Sequence, residues 1–393
     1  SKTKECYVVV SEVAKNNGGK KKVLASVLAG LAIMGAGAQM GTPVQAGADN
    51  AGSAVNIWSE KRVDTPTPGG PGVTNANTRN TAGDNSVTIG QQLTTGTGAV
   101  AVGRLSTAVG DRAVAIGENV NAKKEDTISV GSSNNSNTGG GITIGKGNTA
   151  DSTANGGRAD GNSQIAIGRD NKATKEDTLA LGRENTASGN VSLAIGARTE
   201  ATNSGSIAIA GNGDGYKTTS TGFGSIAIGM QSNSTGTAST AVGGVSQATA
   251  KGASALGYKA NASAESATAL GQESVASVKD GVALGSQSKA TTDKGVEGYN
   301  PADSRTNTYA GLAGNVKTST LAAVSVGDGK NATRQITGVA AGKEDTDAVN
   351  VAQLKNVNLK YAGNSGSGDV LLNNGTLNIK GEGLISTTAD ATG

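Results

Sequence analysis

Residues 85–298 predict an all-β solenoid of 14-residue repeats, and three observations carry the expectation. A phrase of the form apolar-small-apolar-Gly ends at Gly103, Gly117, Gly131 and Gly145, then at Gly168, Gly182 and Gly196, then at Gly229, Gly243, Gly257, Gly271 and Gly285, with a spacing of 14 inside each group. The large residues of the phrase stand two apart, as in Val114 and Ile116 or Leu193 and Ile195, which is the period of one face of a β-strand. All five prolines, Pro43, Pro66, Pro68, Pro71 and Pro301, fall outside 72–300, as an array of paired backbone N–H donors requires.

Composition narrows the function classes. With 61 Gly in 393 residues and 2% aromatics, the chain lacks the large side chains that fill a thick core. There is no His, which removes the commonest general base and metal ligand together. Catalytic, cofactor and metal residues are accordingly expected to be none. The lone Cys6 lies in a segment expected to be cleaved, so neither disulfide nor thiolate chemistry is foreseen. Six lysines against two glutamates in residues 1–22 give net +4, leaving −1 for the rest of a +3 chain. That balance gives no footprint for nucleic acid.

The first element, residues 1–48, reads as an extended signal peptide. Lys20, Lys21 and Lys22 precede an apolar run from Val23 to Met34, and small-residue cleavage sites follow at Val44-Gln45-Ala46 and Ala46-Gly47-Ala48. Residues 49–84 read as a Gly/Pro/Thr-rich linker. Within the repeats of 85–298, Ala recurs nine positions before the phrase-final residue, at Ala122, Ala173, Ala187, Ala201, Ala248 and Ala262. This suggests a second short strand with a small inward residue, while the large residues of the main phrase, Ile195 among them, are expected to point into the roll.

Turns fall at Gly, Asn, Ser and Lys-Glu-Asp clusters such as Lys123-Lys124-Glu125-Asp126. One isolated repeat cannot offset its ordering entropy with two buried aliphatics, so stacking and partner chains are both expected. Two breaks in the spacing, 23 residues from Gly145 to Gly168 and 19 from Ala210 to Gly229, place loops around 147–161 and 212–221, where recognition is usually carried.

After a connector over 299–332, residues 333–357 hold Arg334-Gln335-Ile336-Thr337-Gly338-Val339-Ala340-Ala341-Gly342 and Asp345-Thr346-Asp347-Ala348-Val349-Asn350-Val351-Ala352-Gln353-Leu354-Lys355. Val351, Leu354 and Leu359 are expected to open an apolar helical stripe after Asp347, whose carboxylate is expected to cap the helix start with that of Asp345. A Ca²⁺ pair at these two aspartates is the weaker reading. Gly211, Gly213 and Gly215 have the wrong spacing for a phosphate loop. Residues 358–393, with Gly375-Thr376-Leu377-Asn378-Ile379-Lys380-Gly381, read as the opening of a further stalk-associated segment cut short.

These residues carry a resemblance. The 14-residue repeats and Asn85-Ser86-Val87-Thr88-Ile89-Gly90 are similar to the YadA-like head of trimeric autotransporter adhesins, and 334–355 resembles the neck that joins head to coiled coil in that family. The resemblance implies a left-handed parallel β-roll in each of three subunits, a neck crossing between subunits through Arg334, Gln335, Ile336, Val339, Asp347, Val349, Asn350, Val351 and Leu354, and a coiled-coil stalk below. It further implies export to the cell surface of a diderm bacterium and attachment to matrix or cell-surface proteins or glycans. An outer-membrane β-barrel anchor is implied too, and residues 1–393 do not include one. Asn85, Ser86, Val87, Ile89 and Gly90 are the closest match to the matrix-binding phrase. Two alternatives stand beside this reading, a β-helical polysaccharide-processing enzyme and a purely structural trimeric fibre.

Overall fold

The computed structural model describes residues 45–46, 55–58, 85–91, 93–151, 163–211, 213, 215–298, 314–363, 365–371, 375–381 and 387–388. The signal segment before Gln45, most of the linker, the heart of the 147–161 insertion and much of the connector lie outside these residues. Residues 87–290 form a parallel solenoid whose repeats are called rungs 1 to 14 here, from Val87–Gln91 in rung 1 to Val282–Leu284 in rung 14. Each rung has one long strand and one short strand, and each strand pairs in parallel with its counterpart in the next rung. The register is that of the sequence period: Leu179, Ala180 and Leu181 pair with Leu193, Ala194 and Ile195, which pair with Ile207, Ala208 and Ile209.

The faces of the long strand are opposite to the expectation. The small middle residue of each phrase points into the roll, so that Ala101, Ala115, Ala166, Ala180, Ala194, Ala208, Ala227, Ala241, Ala255, Ala269 and Ala283 are buried. The flanking Val, Ile and Leu, including Ile195, point outward and remain partly exposed. The reason is width. Two strands of one rung face each other across a narrow interior, also entered by the short strand's Ala122, Ala173, Ala187 and Ala248, and only methyl-sized groups fit at the packing density of a protein interior. The short-strand expectation, a small inward residue, matches the structure.

Polar side chains also stack inside. Asn134, Asn148, Asn171 and Asn185 are fully buried and form a ladder: the Asn148 side-chain amide donates to the Ile144 carbonyl at 3.0 Å and the Gly168 carbonyl at 2.8 Å, while its carbonyl accepts from the Asn171 backbone N–H at 3.1 Å. Each amide thereby satisfies backbone groups of two rungs, the condition under which a buried polar group is not a penalty.

Corners are left-handed. They carry positive φ even at Val191 (54°) and Val245 (59°), β-branched residues for which that conformation is strained. The phrase-final Gly is required for a separate reason: a Cβ on Gly182 (φ +121°) would lie 1.9 Å from the Gly196 carbonyl oxygen of the rung below. Ala210 stands in this column without positive φ, and there the pattern changes. Long strands run five residues through rung 9 (Ile207–Gly211) and three from rung 10 (Ile226–Ile228) onward.

Both ends of the solenoid extend beyond the expected boundaries. Val55–Trp58, inside the expected linker, pairs in parallel with Val87–Gln91. At the other end, Val324–Ser325 of the expected connector pairs in parallel with Val282 and Ala283 of rung 14. Val324-Ser325-Val326-Gly327 is a further copy of the repeat phrase, 42 residues after Gly285. It closes the roll.

Candidate interaction surfaces

Three surfaces follow from this architecture. The first is the outward face of the long strands. Ile89, Ile116, Ile144, Leu181, Ile228, Leu256, Leu270 and Leu284 are exposed side chains at the same phrase position, stacked at the inter-strand spacing of about 4.7–4.9 Å. The resulting stripe is about 60 Å long, an apolar surface larger than monomeric soluble proteins ordinarily leave in water.

Asn85–Gly90 belongs to the top of this face. Ser86 is buried beside Thr95, whose hydroxyl donates to it at 3.0 Å, and Thr88 is buried as well. Val87 and Ile89 join the outward stripe, Asn85 is exposed with φ 54°, and Gly90 opens the glycine column with φ +131°. Of the five residues singled out from the sequence, Ser86 therefore faces the interior of the roll.

The second surface is the junction of head and neck. Arg334 closes the last rung within its own chain: its guanidinium donates to the Ser288 hydroxyl at 3.0 Å and to the Val326 and Ser286 carbonyls, and lies where a Cβ on Gly285 would be 2.9 Å from Cζ. Next to it, Asp328 accepts backbone N–H bonds from Ala332 (2.8 Å), Lys330 (2.9 Å) and Asn331 (2.7 Å). These bonds, that of Ala332 foremost, hold its carboxyl down at about 2. A depressed folded value stabilises the closing turn above the unfolded value of 3.8 and loses that contribution as pH falls toward about 2. Amide protection at Lys330–Ala332 is expected to hold down to about pH 4, to fall between about pH 4 and 2, and to be flat over that window in Asp328→Asn. An unchanged wild-type profile in a hydrogen-exchange titration contradicts this.

The neck proper is folded around two amides. Asn350 is the helix N-cap, accepting from Gln353 N–H at 2.9 Å, while Gln353 Oε1 accepts from Asn350 N–H at 3.2 Å; this is a capping box. Asn350 also donates to the Val339 carbonyl at 3.1 Å and Gln353 to that of Gly342 at 2.8 Å. Asp347 does not cap the helix. It accepts from Lys343 N–H at 2.9 Å and Glu344 N–H at 3.0 Å in the preceding turn, bonds that lower its pKa, Lys343's first. The helix is short, Val351–Lys355, and Leu359 lies in a strand, Asn358–Ala362, paired antiparallel with Ser367–Leu371. The expected apolar helical stripe thus stops at Leu354, since five residues are too few for a self-supporting helix. Ile336, Val349, Val351 and Leu354 stand exposed, and Gln335 with them.

Charged corners form the third surface. Glu184 receives Arg198 Nε at 2.7 Å, with Arg169 at 3.4 Å and Arg183 at 3.5 Å; the Arg198 hydrogen bond is the main cause holding its carboxyl below the usual range. Such exposed ladders orient neighbours more than they stabilise. Among the described residues no group of His, Cys, Asp and Glu could hold a metal ion. No helix among them is long and apolar enough to cross a membrane, which leaves strands of a barrel untouched.

Comparison with known proteins coincides with these surfaces. A family model described as the YadA head domain repeat matches residues 95–119, 165–185, 187–209, 220–246 and 248–274. A second, the coiled stalk of trimeric autotransporter adhesin, matches 335–376. A 62-residue segment is 55% identical to "Autotransporter adhesin BadA" of Bartonella henselae, covering 16% of this chain and 2% of that protein. The chain therefore spans a small fraction of the relative's length. Nothing in these matches supports a polysaccharide-processing enzyme or a plain fibre.

Proposed function

From the premise that this chain is a trimeric autotransporter adhesin, carrying that family's head repeats and stalk, we propose that residues 85–298 form the adhesive head of a homotrimer displayed at the outer membrane of a diderm bacterium. The chain is not an enzyme. Its head attaches to host matrix, host cells or other bacteria, and each roll is left-handed and seated against two others.

The outward aliphatic stripe carries this reading. Copies that cover one another's stripes remove the exposed Ile and Leu column from water, at about 25 cal/mol per Å² of apolar area, and leave the short-strand face and the two insertions for recognition. Exposed Ile336, Val349, Val351 and Leu354 in the neck fit the same assembly, because a five-residue helix needs neighbouring helices to persist. The export signal and the first insertion support display and fall largely outside the described residues. The second insertion, expected as a loop over 212–221, instead holds the short strand of rung 9 at Thr218–Ser220, which pairs with Thr199–Ala201 and with Asn233–Ser234, so only the residues before Thr218 project. Sedimentation of residues 49–393 is expected to give a trimer with a dominant β spectrum. A stable, folded monomer overturns the proposal, and a solid-phase panel of matrix proteins, cells and bacteria then identifies what the trimer holds.

A further inference from the structure

The outward face has two edges, the corner before each long strand and the corner after it. Rung 10, Ile226–Ile228, is unusual at both. Phe223, the only Phe in the chain, stands at the corner before the strand and is 60% exposed, while Met230 stands at the corner after it and is 46% exposed. Their carbonyls accept from Ala238 N–H and Val245 N–H, each at 2.8 Å, which fixes both residues in the corner ladders of one rung. Phe223 is flanked by Gly222 and Gly224, and nothing lies within 4 Å of a Cβ on Gly224. The ring has open approach. Separated by the strand, these two side chains belong to opposite edges of one chain.

The apolar surface changes course at the same level. In rungs 1 to 10 the stripe is two side chains wide, but in rungs 11 to 13 its first column becomes Thr240, Ser254 and Thr268 before Val282 restores it in rung 14. Met230, Gly244 and Tyr258 then carry the apolar surface onto the corner after the strand. The Tyr258 ring lies over Gly244, 3.4 Å from where a Cβ would be, so Met230, Gly244 and Tyr258 make one continuous apolar edge along three rungs.

We propose that neighbouring copies close on each other edge to edge, same rung to same rung, with Phe223 of one copy set against Met230 of the next. This rests on the trimeric reading and adds to it which edges meet. The argument is one of symmetry. In a cyclic assembly whose axis runs along the roll, identical rungs share one height, so a contact joins the leading edge of a rung to the trailing edge of the same rung. A thioether beside an aromatic ring is a favourable, adaptable pair.

Corner charges bear on the same pairing. Glu176 and Asp177 stand at the leading corner of Leu179–Arg183, and Arg183, 3.5 Å from Glu184 of its own chain, stands at the trailing corner, so equal heights bring two acids toward an ion pair whose base comes first along the chain. Rung 12, Ser254–Leu256, sets Lys251 opposite Tyr258, whose ring already has Lys259 of its own chain 5.2 Å from its centre. Rung 13 sets Glu265 opposite Glu273, and there Lys279 already sits 3.3 Å from Glu265.

The test uses the full chain with its only cysteine removed, Cys6→Ser, and carrying Phe223→Cys and Met230→Cys. Treatment with a short bis-maleimide is expected to give a covalent trimer on denaturing gels, and neither single-cysteine variant is expected to cross-link. A protein that sediments as a trimer yet does not cross-link overturns the edge pairing and leaves the trimeric reading standing; cross-linking by Phe223→Cys alone does the same. A folded monomer overturns both. Should the double variant misfold, Phe223→Glu reads the same contact: trimer dissociation is expected to rise about tenfold or more, against no change for Val109→Glu on the short-strand side. Equal effects from the two substitutions overturn the pairing.

Discussion

Ala194→Asp is expected to abolish the folded head, whereas Ile195→Asp, one residue further on, leaves each roll folded and separates the copies. Ala194 is fully buried between Ala180 and Ala208, with methyl groups for neighbours and no cation within the interior. An unpaired carboxylate there costs several kcal/mol even after relaxation, in a structure whose whole margin is on the order of 5–15 kcal/mol. Ile195 points outward, so its replacement exposes the charge to water and spoils only the shared surface. Circular dichroism on heating and sedimentation separate the two effects. If Ile195→Asp unfolds the roll while Ala194→Asp is tolerated, the faces have been assigned the wrong way round.

The second large effect concerns the glycine column. Gly182→Ala is expected to cost on the order of 3 kcal/mol or more, because the new methyl meets the Gly196 carbonyl oxygen at 1.9 Å and φ is +121°. Neither atom is at the end of a flexible side chain, so relief requires moving two paired strands apart. Gly213→Ala is the matched control, with nothing within 4 Å of its Cβ, and is expected to stay within about 0.5 kcal/mol of wild type. Equal chemical denaturation midpoints for the two variants contradict the close-approach argument.

The repeat was legible because a solenoid stacks its sequence period directly: rung spacing, short strands and corner positions follow from the count of 14. Orientation was not. Alternation of period two says that Ala194 and Ile195 face opposite ways, and the habit of placing larger apolar residues inside then chose wrongly. The information was present, since the middle residue is small in every rung while the residue after it is always Val, Ile or Leu. A space that accepts only Ala, Ser or Thr is a narrow interior.

Other features are written in the chain less openly. Val324-Ser325-Val326-Gly327 repeats the phrase but lies beyond a long excursion, so distance disguised the closing strand. Asn350 and Gln353 have the spacing of a capping box, and Asp345 and Asp347, also of capping type, stand just before them. Asn134, Asn148, Asn171 and Asn185 keep the spacing of their repeats and looked like corner residues. Only burial distinguishes a ladder from a turn. The apolar edge at Gly244 depends on the Tyr258 ring lying over it, which no pattern of letters contains.

The direct stacking of one rung on the next bears finally on reach. Because Leu179 sits over Leu193 and Leu193 over Ile207, gain or loss of a whole 14-residue unit moves the tip by about 4.8 Å without rotating anything beneath it. Head length is thus graduated like a ruler. A lineage can lengthen or shorten the roll by whole divisions, while every mark on the scale keeps its own face.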